Sequence, residues 1–304
     1  MKSRFKDYCL GQIPGFSSFL KIALVACLAC LAAACDQHTT GGVLQPRGPI
    51  ASDEKKLMMD CVALMLIVVI PVIIMSFAFS HRYSVKNKKP GKYRPNWSHN
   101  VVLEAIWWGV PCIIIVALGI ITWISSHKLD PYRRIDTVSK KPPMIIQAVA
   151  LRWKWLFIYP KQNIATINEI DLPVGRQVEF YITSDAPMSA FFIPQLGSQI
   201  YAMAGMRTRL HLIGSVKGTY EGLNSQYNGE GFSDMHFKVH VTSQSDFHNW
   251  LNKVRASKIK LDIPEYQKIV KPSIADPVAY FRSVRPGLFM RIMDQYMKPN
   301  MRLH

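Results

Sequence analysis

The sequence predicts a membrane-anchored chain of mixed class: a two-helix transmembrane hairpin, then an all-β domain, then a helical and aromatic-rich C-terminal extension. Three observations predict it. Two uncharged apolar runs, residues 61–79 and 105–124, are each long enough to cross a bilayer. Short alternating runs punctuated by glycine and proline begin near residue 142. Tyrosine and phenylalanine then recur between 263 and 301 without a strong period. Of 304 residues, 49% are apolar and only 19% are charged, which excludes a disordered chain.

The N-terminus reads as a secretory signal. Lys2, Arg4, Lys6 and Lys21 precede an apolar run over 22–34 that is too short to span a bilayer. The run ends Leu31-Ala32-Ala33-Ala34-Cys35, followed by Asp36, a pattern resembling a bacterial lipobox in which Cys35 carries the lipid. Cleavage at the alternative Cys27 would leave about five apolar residues after Lys21, short of the roughly 7–15 that a signal core needs. A plain signal peptide with an incidental cysteine is the other reading.

The two spans follow, placed at about 57–79 and 103–125. As helices, runs of 19 and 20 residues reach about 28 and 30 Å. Pro71 and Pro111 interrupt them, which membrane helices tolerate. Trp107, Trp108 and Trp123 sit near the ends of the second run, where indoles favour the interface. Between the spans, residues 81–99 carry Arg82, Lys86, Lys88, Lys89, Lys92 and Arg94 and no acid, so this loop is expected in the cytoplasm. The N-terminus and everything after about residue 126 are then expected on the outer, periplasmic side.

Beyond residue 142, strands are expected over 144–151, 177–183, 190–193, 208–213 and 236–241, the spacing of a β-sandwich or barrel. A helix follows, capped by Ser243 or Ser245, with Phe247, Trp250, Leu251 and Val254 on one face. The tail is expected to pack on the domain or on a partner. The resulting division is a signal segment 1–34, an anchor and hairpin 35–126, an external domain 127–258 and an extension 259–304. All six cysteines (9, 27, 30, 35, 61 and 112) precede this domain, so it holds neither a disulfide nor a thiolate metal ligand. The net charge of +17 suits anionic lipid, an acidic partner or a solvated basic surface equally. An external lipoprotein excludes a nucleic-acid partner.

Several stretches resemble subunit II of the haem–copper respiratory oxidases, and within them the bo-type ubiquinol oxidase branch. They are Pro95-Asn96-Trp97-Ser98-His99, Glu104 before the second span, the aromatic run from Trp153 to Pro160, and the segment from Phe191 to Met206. The likeness runs from about Cys35 to about Met297 and implies a cupredoxin-like barrel. In cytochrome c oxidases that barrel holds two coppers through an early His and a loop Cys-x-Glu-x-Cys-x-x-x-His-x-x-Met. Here Ser189 stands at the early position, Asn224 and Asn228 at the cysteines, Gln226 at the glutamate and Phe232 at the second His, and only Met235 is retained. A lone thioether is a weak ligand and suits core packing. His236 and His240 share one strand face without a third partner.

The resemblance therefore implies a subunit without a cofactor of its own, in an inner-membrane complex that oxidises ubiquinol, reduces O2 to water and pumps protons. Haems and copper would sit on the catalytic subunit I, with this chain bracing it alongside other subunits and membrane lipids. It also implies that Glu104 lies at the mouth of a proton channel; the alternative is an acid that favours a helix N-terminus. The run 153–159 aligns with an electron path but has no copper to serve, so core packing is expected. Two competing readings are a membrane-anchored cupredoxin-like binding or assembly lipoprotein outside any oxidase, and a copper-bearing cytochrome c oxidase subunit, which the ligand loop disfavours.

Overall fold

The computed structural model describes residues 42–83, 99–135 and 142–297. The expected signal segment, Cys35 and most of the cationic loop (84–98) lie outside the described residues.

Helices α1 (Pro49–Arg82) and α2 (Val101–Lys128) contain the two apolar runs. Pro49 starts α1 with its φ already suited to a helix, and the Asn100 side chain caps α2 by accepting from Leu103 N at 3.1 Å. At 34 and 28 residues they are longer than the predicted spans, and neither buries its apolar stretch in the protein. Trp108 and Ile113 are each 71% exposed, a surface that requires lipid or another apolar surface to cover it.

The β-domain is two sheets. One has the order β11-β3-β2-β1-β5-β8, built from β1 (Met144–Leu151), β2 (Lys154–Tyr159), β3 (Ile164–Ile167), β5 (Gln177–Ser184), β8 (Thr208–Ile213) and β11 (Ala279–Phe281). The other has the order β4-β10-β9-β6-β7, from β4 (Glu169–Pro173), β6 (Ser189–Ile193), β7 (Gly197–Ala202), β9 (Gly218–Asn224) and β10 (His236–Thr242). The pairs β1–β5 and β4–β10 are parallel, and the remaining pairs are antiparallel. The five expected strands all form. Six more were not expected, and β2 shows the reason.

Trp155, Phe157 and Tyr159 point between the sheets into the main core, whereas Leu156 and Ile158 point outward into a second core. A strand apolar on both faces shows no alternation and reads as an aromatic run. The second core exists because the extension covers that outer face. Helices α4 (Ile263–Ile269) and α5 (Leu288–Asp294) bring Tyr266, Leu288, Phe289, Ile292 and Met293 against it, and β11 pairs with β3 between them. The tail thus packs on the domain. Helix α3 (Gln244–Arg255) has the expected Ser243 cap and buries the four expected apolar residues.

The hairpin is tied to the domain at one end. Arg47 N donates to Gln195 O at 2.7 Å and Ser215 N to Arg47 O at 2.8 Å. Gly48 lies so close that a Cβ there would sit 2.4 Å from Ile213 O, so only glycine fits. Ser198 Oγ donates to the Glu54 carboxylate, and Lys128 pairs with Asp53 at 2.8 Å, clasping α2 to α1.

Candidate functional site

The six positions singled out in the β-domain come together where β6 begins, β9 ends and the following loop leads into β10. Ser189, Asn224 and Met235 are buried. Asn224 Oδ1 accepts from Ala190 N (2.8 Å) and Gln226 N (3.1 Å), and its Nδ2 donates to Gln226 O (2.7 Å). Gln226 thus enters through its backbone. Asn228 Nδ2 donates to Ser189 Oγ at 3.0 Å and lies 3.3 Å from Met235 Sδ, while Ser189 Oγ donates to Pro187 O at 3.2 Å. Phe232 packs on Tyr227, ring centroids 5.6 Å apart.

Trp153 closes this loop from outside. It takes a left-handed backbone (φ 64°) in the β1–β2 turn, lays its indole over Gly229 and Gly231, and donates from Nε1 to Asn228 O at 3.4 Å. A Cβ on Gly231 would lie 2.5 Å from Trp153 Cγ. His236 and His240 do not converge on a shared centre. His236 faces Glu221 at 3.3 Å, and His240 faces Glu169 at 3.6 Å and Thr219 at 2.9 Å.

Glu104 stands apart from this loop, in the first turn of α2. Its Oε1 is 2.7 Å from His99 Nδ1, and its side chain is partly exposed. In the first turn of α2 this acid complements the helix N-terminus.

Residues 255–300 match the family model described as the COX aromatic rich motif. The cytochrome bo(3) ubiquinol oxidase subunit 2 of Pseudomonas aeruginosa is 51% identical over 254 residues, covering 84% of this chain and 76% of that protein. The protein of the same name from Pseudomonas putida is 49% identical, covering 84% and 80%. The chain belongs to the ubiquinol oxidase subunit 2 family. Among solved structures, the periplasmic domain of subunit II of cytochrome oxidase from Bradyrhizobium japonicum is 21% identical, with a TM-score of 0.36, covering 37% of this chain and 94% of that one.

For this member of the subunit 2 family, the six residues do not fit a copper centre. Copper at such sites is bound by thiolate, imidazole and thioether. The set here is a hydroxyl, three amide side chains, a phenyl ring and one thioether, and the thioether faces an amide N–H2. Asn228 Oδ1 is buried without a partner, one orphan oxygen rather than a coordination set. Among the described residues, no group of three His, Cys, Asp or Glu side chains is placed to hold a metal. The loop's polar groups instead bond to one another across the ends of β6, β9 and β10.

The structure also joins residues that sequence reasoning missed. Lys154, only 4% exposed, donates to Lys271 O at 3.2 Å and pairs with Asp276. Asp185 accepts from Tyr266 and, at 2.5 Å, from Tyr296; that hydrogen bond, with burial, pushes Tyr296 up to about 12. Glu169 and Asp171 lie beneath α3. Burial would raise Glu169, but hydrogen bonds from His240, Trp250 and Tyr280 prevail and hold it at about 2. Burial lifts Asp171 to about 6 despite its bond from Thr242. Each of these contacts spans more than 70 residues of chain, so no local pattern announces them. The one local signal was Lys154 itself, a charge inside an apolar run.

Proposed function

We infer that this chain is the non-redox second subunit of a proton-pumping ubiquinol oxidase in the bacterial inner membrane. It braces the catalytic subunit I, which carries the haems and copper, oxidises ubiquinol and reduces O2 to water. The observation that carries the reading is 51% identity, across 84% of the chain, to a cytochrome bo(3) ubiquinol oxidase subunit 2. The donor set at the loop supports it: a subunit taking electrons from a soluble donor needs an entry port here, and these residues bind no copper. The exposed apolar faces of α1 and α2 suit a many-helix partner and lipid.

Cleavage before Cys35 and its lipidation anchor the N-terminus outside, and the cationic loop around 84–98 stays in the cytoplasm. The β-domain and extension then lie in the periplasm, and Glu104 at the cytoplasmic end of α2. There the His99–Glu104 pair receives protons for subunit I. The test is purification: after detergent extraction, the chain comigrates with haem and ubiquinol-oxidising activity. A colourless chain free of both refutes the assignment. In the assembled complex, Glu104→Ala slows turnover whereas Glu104→Asp does not. Equal rates at normal haem content exclude the relay.

A further inference from the structure

We propose that a hollow with a cationic rim, left where the extension meets the first sheet, receives an acidic segment of a neighbouring subunit, one apolar side chain of which fills the hollow. This presupposes the multi-subunit complex and the periplasmic placement inferred above. The extension covers the outer face of the sheet incompletely. Between β1, the β2–β3 turn and the first turn of α5, a hollow of about 300 Å³ remains. Ile158, Val284, Leu288, Phe289 and Met290 are its apolar walls, and Gln147, Asn163 and Arg285 its polar ones. That volume is the lower end of the ~300–1,000 Å³ of a small-molecule site, and it suits one large side chain anchoring a longer segment.

The rim is assembled by tertiary contacts. Arg282 N donates to Ile259 O at 3.0 Å, Leu261 N to Ser283 O at 2.8 Å and Arg285 N to Leu261 O at 2.9 Å, so 259–261 run beside 282–285. Arg255 Nη2 donates to Gln162 O at 3.4 Å and Val284 N to Asn163 Oδ1 at 3.2 Å, which brings the β2–β3 turn against both. These contacts gather Lys161, Arg255, Lys258, Lys260, Arg282 and Arg285, all exposed. Residues 160–168, 247–261 and 277–293 contain no Asp or Glu. The next acid along the chain, Asp262, is engaged as the cap of α4, accepting from Glu265 N at 3.0 Å, and Glu265 itself pairs with Lys268 at 2.7 Å. Among the described residues, none of the six cations is paired with a carboxylate. Like charges crowded in this way repel, and acidic side chains on a partner relieve the cost and fix its register. An anionic bilayer would also answer the charge, but bilayers are bound by polybasic segments beside a span or by basic amphipathic helices. This rim instead joins separate loops from 161 to 285 around a concave apolar centre, the anatomy of a protein interface.

The test places the photocrosslinker p-benzoylphenylalanine at Ile259, which is 45% exposed between Lys258 and Lys260. The whole complex is irradiated in its native membranes, purified, and its adducts are identified by peptide mass spectrometry. The expected adduct joins this chain to a segment of another subunit that carries clustered Asp or Glu. Adding Lys258→Gln/Lys260→Gln/Arg285→Gln lowers its yield about tenfold. An adduct to lipid reassigns the rim to the bilayer and overturns the proposal, as does an adduct to a segment without acids, no adduct, or an unchanged yield in the triple variant. If the triple variant does not assemble, rising salt decides with the crosslinker alone: a falling yield supports the charged rim, and a salt-independent yield refutes it. Purification separates the two levels. A chain recovered without haem or a second polypeptide refutes the assignment to a complex, whereas an assembled complex without the adduct refutes only this surface.

Discussion

Asp171→Asn should stabilise the β-domain, and by an amount set by pH. Asp171 is 3% exposed, and its carboxylate accepts from Thr242 Oγ1 at 2.5 Å, a bond that an amide oxygen also accepts. Burial raises its pKa from 3.8 to about 6, so the folded state holds the proton more tightly than the unfolded chain. The stability this gives is fully present below 3.8 and is lost as pH rises through about 6. Above that, folding must bury a carboxylate at a cost of about 1–3 kcal/mol, the lower end because Glu169 and His240 share the site. Asparagine carries no such cost. Urea or thermal unfolding of the detergent-solubilised chain, followed by tryptophan fluorescence at pH 4, 5.5 and 7.5, measures the difference. The variant gains nothing near pH 4 and the full amount at 7.5, about 2–4 °C in Tm per kcal/mol. Glu169, held at about 2, loses its own contribution as pH falls below the usual 4.5 and does so equally in both proteins. A pH-independent difference between the two curves would refute the reasoning.

Three other outcomes are expected. Gly231→Ala places a methyl 2.5 Å from Trp153 Cγ and should destabilise by about 1–3 kcal/mol, seen as a lower melting temperature and altered tryptophan emission. Lys154→Ala strands the Asp276 carboxylate and should cost about 3–5 kcal/mol, whereas Lys154→Met with Asp276→Leu should recover most of it, measured by urea unfolding. Tyr266→Phe removes one of two hydroxyls on Asp185 and should cost about 1–3 kcal/mol while raising protease sensitivity after residue 255, read by limited digestion.

Local chemistry made α1, α2, α3 with its cap and five strands legible. Charge-free runs, a serine ahead of an amphipathic segment and simple alternation are each short-range signals. The strands that were missed fail in two ways. In β2 both faces are apolar because Leu156 and Ile158 meet the extension, so the period-two signature is erased. In β7 the half-exposed Ser198, Gln199 and Tyr201 supply too few buried positions to show one. At the loop, the five replaced positions and the retained Met235 were readable by register, but their bonds were not. That Asn228 reaches back 39 residues to Ser189, or that Lys154 meets Asp276, depends on tertiary placement.

The outer face of the first sheet has a consequence for biogenesis. Its cover, Leu261 to Met293, is synthesised after ten of the eleven strands. Until those residues have been exported, Leu156, Ile158 and their neighbours stand bare to the periplasm as a sticky, unpaired sheet surface. A premature stop directly after α3 therefore leaves ten of the eleven strands, lacking only the edge strand β11, with the outer face of the first sheet uncovered and open to holdases and proteases. Quality control at this step reads the segment from Leu261 to Met293.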